Sequence, residues 1–453
     1  MWSSKKLFFR WWLIAALIYL IFSAVVTWQY GTDFLMPIGD DSVHHIKLAE
    51  NLIKYHTFSL DGLNSNSEPL LPLKPTNFLS PGYAFWLVII FLIFKSFTPA
   101  IFIGAIIFAI SVPLTYLLAR EITGNNKIAF WAALIFMIEP LSVYHSGLLF
   151  TEQIFVPMFL TGIYCFVKYI KNGNFKFLSG SLITLSAATL IRPVLFYFLP
   201  VLVFIVFFKE FKISVKRALV LGIISLVLVY SIAGVWIVRN KIVLNTWQIS
   251  SNTGAILYGY HYESLMRNLG LAPENPKILG GNRDAFSVEY NKILGNFTIG
   301  EILKHKTQYL KLRLVYTPLF FLSNGYDNIL SRFYGTAGFD KYFRSDLVNT
   351  FMKGEFIKTF KTIFDSPKSM IFLLGSLFWF FIFVLAVLGF WKNFKDSSGP
   401  KIIWGFIAVL ILYFDIVTTP LVTARYRLPI NPFIFIFAVT GFLYLKQLVK
   451  KNA

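Results

Sequence analysis

Asp40 and Asp41 are adjacent carboxylates in the run Gly39-Asp40-Asp41-Ser42-Val43-His44-His45, just beyond the first long apolar stretch of a chain poor in charge. One such acid can cap a helix, accepting backbone N–H groups and complementing the helix dipole. Two are more than a cap requires, and a carboxylate beside a membrane surface can also take the proton of an attacking hydroxyl. A third acid, Glu152, follows Leu148-Leu149-Phe150-Thr151 at the head of another apolar stretch, where it complements a dipole or joins a site. Four arginines supply the opposite charge: Arg192 before Pro193, Arg239 at the end of an apolar run, and Arg425 and Arg427 in Ala424-Arg425-Tyr426-Arg427-Leu428-Pro429. Any one of them could snorkel to the interface. Four together suit an anion, because guanidinium groups bind phosphate oxygens through bidentate, charge-assisted bonds.

These groups fit the transfer of a sugar from a lipid phosphate to a hydroxyl. The leaving group is a weakly basic phosphate, so cations suffice to neutralise its developing charge, and only the acceptor needs a base. That chemistry requires no cofactor and no bound metal, although a role for a divalent ion stays open. GxGxxG, Walker A and HExxH patterns are absent, and the six histidines are scattered. The single cysteine, Cys165, lies in an apolar run and offers no thiol metal site or internal disulfide.

The elements that must position these residues are membrane spans. Only 14% of residues carry charge and 56% are apolar, which excludes an ordinary soluble domain. Apolar windows near 11–29, 98–119, 128–146, 151–170, 177–192, 194–208, 217–238, 369–391, 402–419 and 428–445 give about ten transmembrane helices. Residues 82–94 are apolar but too short to cross, which suits an interfacial helix. The net charge of +20 arises from cations clustered at span ends rather than a basic stripe with interleaved aromatics, so no nucleic-acid partner is expected.

Retention of positive loops in the cytoplasm orients the spans, with Arg120, Lys127, Lys171, Lys176, Lys209, Lys212, Lys216, Arg217, Lys392, Lys395, Lys401 and the C-terminal lysines all inside. Both termini are then cytoplasmic, and the three acids and four arginines share the outer side. The chain divides into an N-terminal transmembrane module, 1–238, with a first outer loop 31–97; an extracytoplasmic subdomain, 239–368; and C-terminal spans, 369–453. The outer loop holds an amphipathic helix from Ser42 to about Tyr55 with Ile46, Leu48, Leu52 and Ile53 as apolar positions, lying along the membrane surface. The Asn296-Phe297-Thr298 sequon is ascribed to chance.

In order along the chain, Gly39-Asp40-Asp41, Leu48-Ala49-Glu50-Asn51-Leu52, Pro81-Gly82-Tyr83, Leu149-Phe150-Thr151-Glu152, Ile191-Arg192-Pro193, Trp236-Ile237-Val238-Arg239-Asn240 and Arg425-Tyr426-Arg427-Leu428-Pro429 resemble the GT-C superfamily of polyprenyl-phosphate-sugar transferases. The likeness is to the bacterial branch similar to protein O-mannosyltransferases and lipid A aminoarabinose transferase. It implies an all-α GT-C fold and inverting transfer from a polyprenyl-phosphate (undecaprenyl-phosphate) sugar to a glycan, lipid or protein acceptor at the outer face of a cell membrane. The family register selects Asp41 over Asp40 as base. Glu152 matches an acceptor-positioning acid, Arg192, Arg239, Arg425 and Arg427 fall to the donor phosphate, and His44, His45, Tyr83 and Tyr426 to substrate positioning. His44 and His45 stand where relatives carry an aromatic, and Ser80-Pro81-Gly82 replaces a Lys-Pro-Pro of some. A transporter or flippase, or an oligosaccharide polymerase or ligase, is the alternative; most span centres here lack the charged or broken segments typical of transporters.

Overall fold

The computed structural model describes residues 2–36, 41–63, 71–281, 283–334, 354–364, 367–396, 401–420 and 423–452, and all regular structure among them is helical. Eight of the described helices are long and apolar enough to cross a membrane. A ninth span results if Asn126–Ile138 and Pro140–Gly147, bent by 56°, count as one. Phe175–Ile191, expected as a full span, is a shorter apolar helix of 17 residues. The chain is therefore a multi-pass membrane protein, with eight or nine candidate crossings among the described residues against the roughly ten expected.

The helices fall into two compact units, residues 1–133 with 145–313, and residues 134–144 with 314–453. In the first unit, α1 (Trp2–Tyr30) buries Trp11, Ala15, Tyr19, Ser23 and Val26 at helical spacing and leaves Leu13, Leu17, Ile21 and Val25 exposed on another face. That is the division expected of a helix with one side on its neighbours and one side on lipid. After α2 (Asp41–Tyr55) and α3 (Gly82–Phe94) come α4 (Pro99–Phe108), α5 (Ser111–Thr123), and then α6 (Asn126–Ile138) and α7 (Pro140–Gly147), of which residues 134–144 belong to the second unit. The bundle continues through α8 (Glu152–Asn172), α9 (Phe175–Ile191), α10 (Leu199–Phe211) and α11 (Val215–Leu244). Small residues let these helices approach closely, as is usual in lipid, where apolar burial between helices gains little. A Cβ at Gly162 of α8 would stand 2.5 Å from Leu185 of α9, and α11 buries Ala218, Gly222, Ser225 and Ala233 in one stripe.

The amphipathic helix expected from Ser42 is α2, and it buries Ser42, His45, Leu48, Ala49 and Asn51. Asn51 closes the turn that follows by donating to the carbonyls of Ser59 and Asp61 at 2.9 and 3.1 Å. Beyond α11, Thr253–Asn268, Pro276–Gly280 and Val288–Lys304 form a helical layer, the first containing one turn of π-helix at Leu257–Tyr262. This layer crosses closely at Gly254, where a Cβ would lie 1.8 Å from the Asn291 carbonyl oxygen.

In the second unit, the helices Pro367–Asp396 and Asn431–Asn452 cross at a pair of glycines. A Cβ on Gly389 would meet the Phe437 carbonyl oxygen at 1.9 Å, and one on Gly441 the Leu385 carbonyl oxygen at 2.0 Å. Trp379, fully buried, stacks on Phe435 in the same contact.

Candidate active site

Glu152 opens α8, where the helix dipole favours its charge, and is completely buried. The partner comes from α9, which runs back beside α8 and ends where Arg192 leaves helical conformation ahead of Pro193. Its Nη1 donates to Glu152 Oε1 at 2.7 Å, and the guanidinium lies 5.5 Å from the ring centre of Phe155. Thr151 donates its hydroxyl to Glu152 Oε2 at 3.2 Å instead of capping the helix. The sequence placed these two charges in separate tasks, but in the structure they form one buried ion pair.

Asp41 is the first residue of α2 and is half-buried. Its helix is fixed to the approach of α8, because Ser42 Oγ donates to the Leu149 carbonyl at 2.8 Å and the Leu149 amide donates to the Leu35 carbonyl at 2.9 Å. The candidate base therefore starts a helix anchored three residues before Glu152. Asp40, its rival for that role, lies outside the described residues. One turn into α2, His45 packs edge-on against the Tyr83 ring with centres 5.1 Å apart, and His44 meets Phe286 at 5.6 Å and Phe78 at 6.2 Å.

Tyr83 is fully buried and sits on α3, whose start is pressed against the end of α9. A Cβ on Gly82 would fall 2.8 Å from the Leu190 carbonyl carbon and 2.9 Å from Ile191 Cγ1, so a glycine is what permits the approach. Ser80 Oγ donates to the Ile191 carbonyl at 3.1 Å. The Pro81-Gly82-Tyr83 motif thus joins the residues immediately before Arg192 to the ring that faces His45.

Gln153 is a residue that reading by charge missed. Its amide Nε2 donates to the carbonyls of Ser146 at 2.7 Å and Ile101 at 3.1 Å, and the Tyr83 hydroxyl points to its Oε1 at 3.5 Å. The amide lies over Gly104, where a Cβ would come within 2.2 Å of Oε1. Four chain segments are tied together by this one neutral side chain, and only a polar residue one step inside an apolar span hints at it.

Arg239 is held differently. Its Nη1 donates to the Thr76 carbonyl at 3.1 Å and to Asn240 Oδ1 at 3.0 Å, and its guanidinium stacks over Trp236 at 4.7 Å. Trp236 and Asn240 in turn hold the carbonyls of Ile249 and Gln248, and the Asn252 amide and Ser250 hydroxyl donate to the Phe78 carbonyl. The Trp236-to-Asn240 motif therefore laces residues 76–80 to residues 246–252. Nη2 and Nε of Arg239 take no partner among the described residues.

Arg425, Tyr426 and Arg427 belong to the second unit, on the short helix Ala424–Arg427. Arg425 and Tyr426 are half-buried, whereas Arg427 is completely enclosed. Its Nη1 donates to the carbonyls of Phe320, at 2.7 Å, and Phe321, its Nη2 to that of Ser323 and its Nε to Asn431 at 3.1 Å, all 3.6 Å above the Trp379 ring. Arg427, expected at a donor phosphate, thus has its guanidinium engaged by backbone carbonyls and Asn431. These carbonyls lie in the last turn of the helix Lys306–Leu322 and just beyond it, where helix geometry leaves acceptors unpaired and a guanidinium fork can cap them.

Among the described residues, no three His, Cys, Asp or Glu side chains gather as a metal site would require. Residues 75–236, the stretch that carries Tyr83, Glu152, Gln153 and Arg192, match the family of dolichyl-phosphate-mannose-protein mannosyltransferases. No match to a curated protein is found. The chain also aligns with the crystal structure of ArnT from Cupriavidus metallidurans bound to undecaprenyl phosphate, at 12% identity and a TM-score of 0.39, over 97% of this chain and 75% of that one.

Proposed function

We propose, on the likeness of residues 75–236 to the dolichyl-phosphate-mannose-protein mannosyltransferase family, that the chain is a GT-C glycosyltransferase that transfers a sugar with inversion from a polyprenyl-phosphate donor of the undecaprenyl type to a hydroxyl of a glycan, lipid or protein. The observation that carries this reading is the anchoring of Asp41's helix, through Ser42 and Leu149, beside the buried Glu152–Arg192 pair. Asp41 takes the proton as the acceptor oxygen bonds to the anomeric carbon. The bond from that carbon to the phosphate oxygen breaks, and its electron pair leaves with polyprenyl phosphate. Arg192, charge-compensated by Glu152, and Arg239, with part of its fork unengaged among the described residues, supply positive potential for the departing phosphate. Glu152 then acts on the reaction through Arg192 as well as on the acceptor side.

The site faces away from the cytoplasm in this reading. Arg120, Lys127, Lys168, Lys171, Lys209 and Arg217 occupy the ends of α5, α6, α8, α10 and α11 opposite to those of Glu152, Arg192 and Arg239, which is the bias that retains loops inside. The helical layer Thr253–Lys304 borders Asp41's loop through Thr76 and Phe286, which hydrogen-bond at 3.2 Å, and it is the part of the chain suited to receive an acceptor.

The test is to incubate purified protein with synthetic polyprenyl-phosphate sugars and follow release of polyprenyl phosphate. Asp41→Asn is expected to lower turnover by about 10² to 10⁴, the range that a positioned base contributes. An Asp41→Asn variant with undiminished turnover removes the base assignment, and wild-type protein inert toward every polyprenyl-phosphate sugar overturns the donor class.

A further inference from the structure

At the ends of α8 to α11 farthest from Glu152 lies a groove of about 480 Å³, walled by Tyr169, Phe175, Ser214, Lys216, Arg217 and Val220. Two helices begin at its rim. The start of α9 is capped, since Asn174 accepts from the Lys176 amide at 2.9 Å. The start of α11 is not: Ser214 is extended and its side chain makes no cap hydrogen bond among the described residues. A helix start left in this way attracts negative charge through its N–H groups and its dipole.

Side-chain charge at the groove has the same sign. Lys216 and Arg217 line it, and Lys209 Nζ reaches its Gly173 wall, lying 3.8 Å from where a Cβ on that glycine would be. One acid answers them. Glu210, wholly buried, receives Lys209 at 2.8 Å, Arg217 Nε at 2.5 Å and the Tyr169 hydroxyl at 2.7 Å. Three cations against one carboxylate leave two positive charges in excess, and Lys216 has no partner among the described residues. The rest of the wall is apolar, with Phe175 and Val220 about half exposed on the side where α9 and α11 show apolar residues outward.

From this juxtaposition of an uncapped helix start, excess cations and an open apolar flank, we infer that the groove is a binding site for an acidic glycerophospholipid. The phosphate sits at the first turn of α11 between Lys216 and Arg217, and an acyl chain runs along Val220 and Leu221. A free phosphate ion would leave the apolar wall without use. The site is separate from the glycosyl-transfer centre, which occupies the opposite helix ends, and does not depend on that reading.

Native mass spectrometry of the full chain with added phosphatidylglycerol or phosphatidylcholine tests the inference. Wild type is expected to retain phosphatidylglycerol in preference. A lysine or arginine near an acidic lipid surface contributes about five-fold in affinity, so Lys216→Gln should lose about five-fold of that preference and Lys216→Gln/Arg217→Gln about 25-fold. Lys127→Gln, a charge removal at another turn on the same side, should leave it unchanged, and Val220→Trp should weaken phosphatidylglycerol binding with all charges kept. Because Arg217 also holds Glu210, thermal melting is followed in parallel; Lys216→Gln alone carries the test if the double variant melts early. The inference is overturned if Lys216→Gln keeps the wild-type preference, if Lys127→Gln loses as much, or if inorganic phosphate displaces the lipid at equal concentration.

Discussion

Replacing Arg192 by Met, Glu152 by Gln, and both together isolates the ion pair around which the site is built. Glu152 has no exposed surface and its Oε1 lies 2.7 Å from Arg192 Nη1. Removing the guanidinium leaves a carboxylate in an apolar enclosure, a loss of about 3–5 kcal/mol in stability when one partner of a buried pair is deleted. Glu152→Gln keeps an acceptor for Nη1 but leaves the buried Arg192 charge uncompensated, a loss of up to the same range, about 3–5 kcal/mol. In the double variant neither charge is stranded, so its destabilisation should fall short of the sum of the singles by about 2 kcal/mol or more, within the range of couplings between contacting residues. The assay is equilibrium unfolding in mixed micelles with increasing denaturing detergent, followed by intrinsic fluorescence. Turnover is measured on the same preparations, and the double variant should recover stability without recovering activity, since the positive charge for the phosphate is still missing. Additivity of the two single effects within about 0.5 kcal/mol would show that the charges do not sustain one another, and the pair would lose its place at the centre of the site.

Three further outcomes are expected. Gly82→Ala forces its Cβ to 2.8 Å from the Leu190 carbonyl carbon, so α3 must shift from α9; overpacking of this kind costs about 1–3 kcal/mol, and turnover should fall with it because Tyr83 and Arg192 ride on the two elements. Burial, assisted by Arg313, pushes the His261 imidazole down to about 4, and its Nδ1 pairs with the Tyr309 hydroxyl at 2.6 Å. The unfolded chain then binds a proton that the folded chain does not between pH 6.5 and about 4, so stability declines as pH falls through that window, by up to about 3 kcal/mol. Hydrogen-exchange protection over residues 253–268, corrected for the intrinsic rate at each pH, should fall across the same interval and do so far less in His261→Gln; an unchanged profile in that variant refutes the assignment. Arg427→Lys, which keeps the charge but not the fork, should destabilise the second unit by about 2 kcal/mol or more through carbonyls left unpaired, measured as a lowered melting temperature; wild-type stability would contradict a capping role.

Hydropathy and charge made much of this architecture legible. The apolar windows fell on helices, the 13-residue stretch at Gly82 proved short, and α2 began within one residue of the expected start, because each depends on local pattern alone. The number of crossings was less legible, since Phe175–Ile191 is only 17 residues and α6 breaks from α7 at Glu139 and Pro140. What the sequence could not show was direction. An arginine on the side that usually lacks cations can bind a substrate anion or cap the helix end beside it, and Arg192, Arg239 and Arg427 do three different things. The decision rests on which carbonyls and acids lie within hydrogen-bond distance, and those are set by neighbours tens to hundreds of residues away: Glu152 for Arg192, Thr76 for Arg239, Phe320 for Arg427.

Glycines account for much of the remainder. Gly82 admits the Leu190 backbone, Gly104 admits the Gln153 amide, and Gly147 lies where a Cβ would meet Phe22 and Ser23 of α1 at 2.9 Å. All three stand at contacts between elements that carry or anchor the site: α3 on α9, α4 on α8, and α7 on α1. In a bilayer, where apolar side chains gain little by leaving lipid, a close backbone approach is a principal way to hold helices in one arrangement. Glu152 can therefore stay buried against Arg192 because the helices that bring the two together are fixed by contacts too close for any side chain. In the proposed site the glycine of Pro81-Gly82-Tyr83 then matters beside the acid, since it sets how closely α3, with Tyr83 against His45, approaches the end of α9 that leads into Arg192.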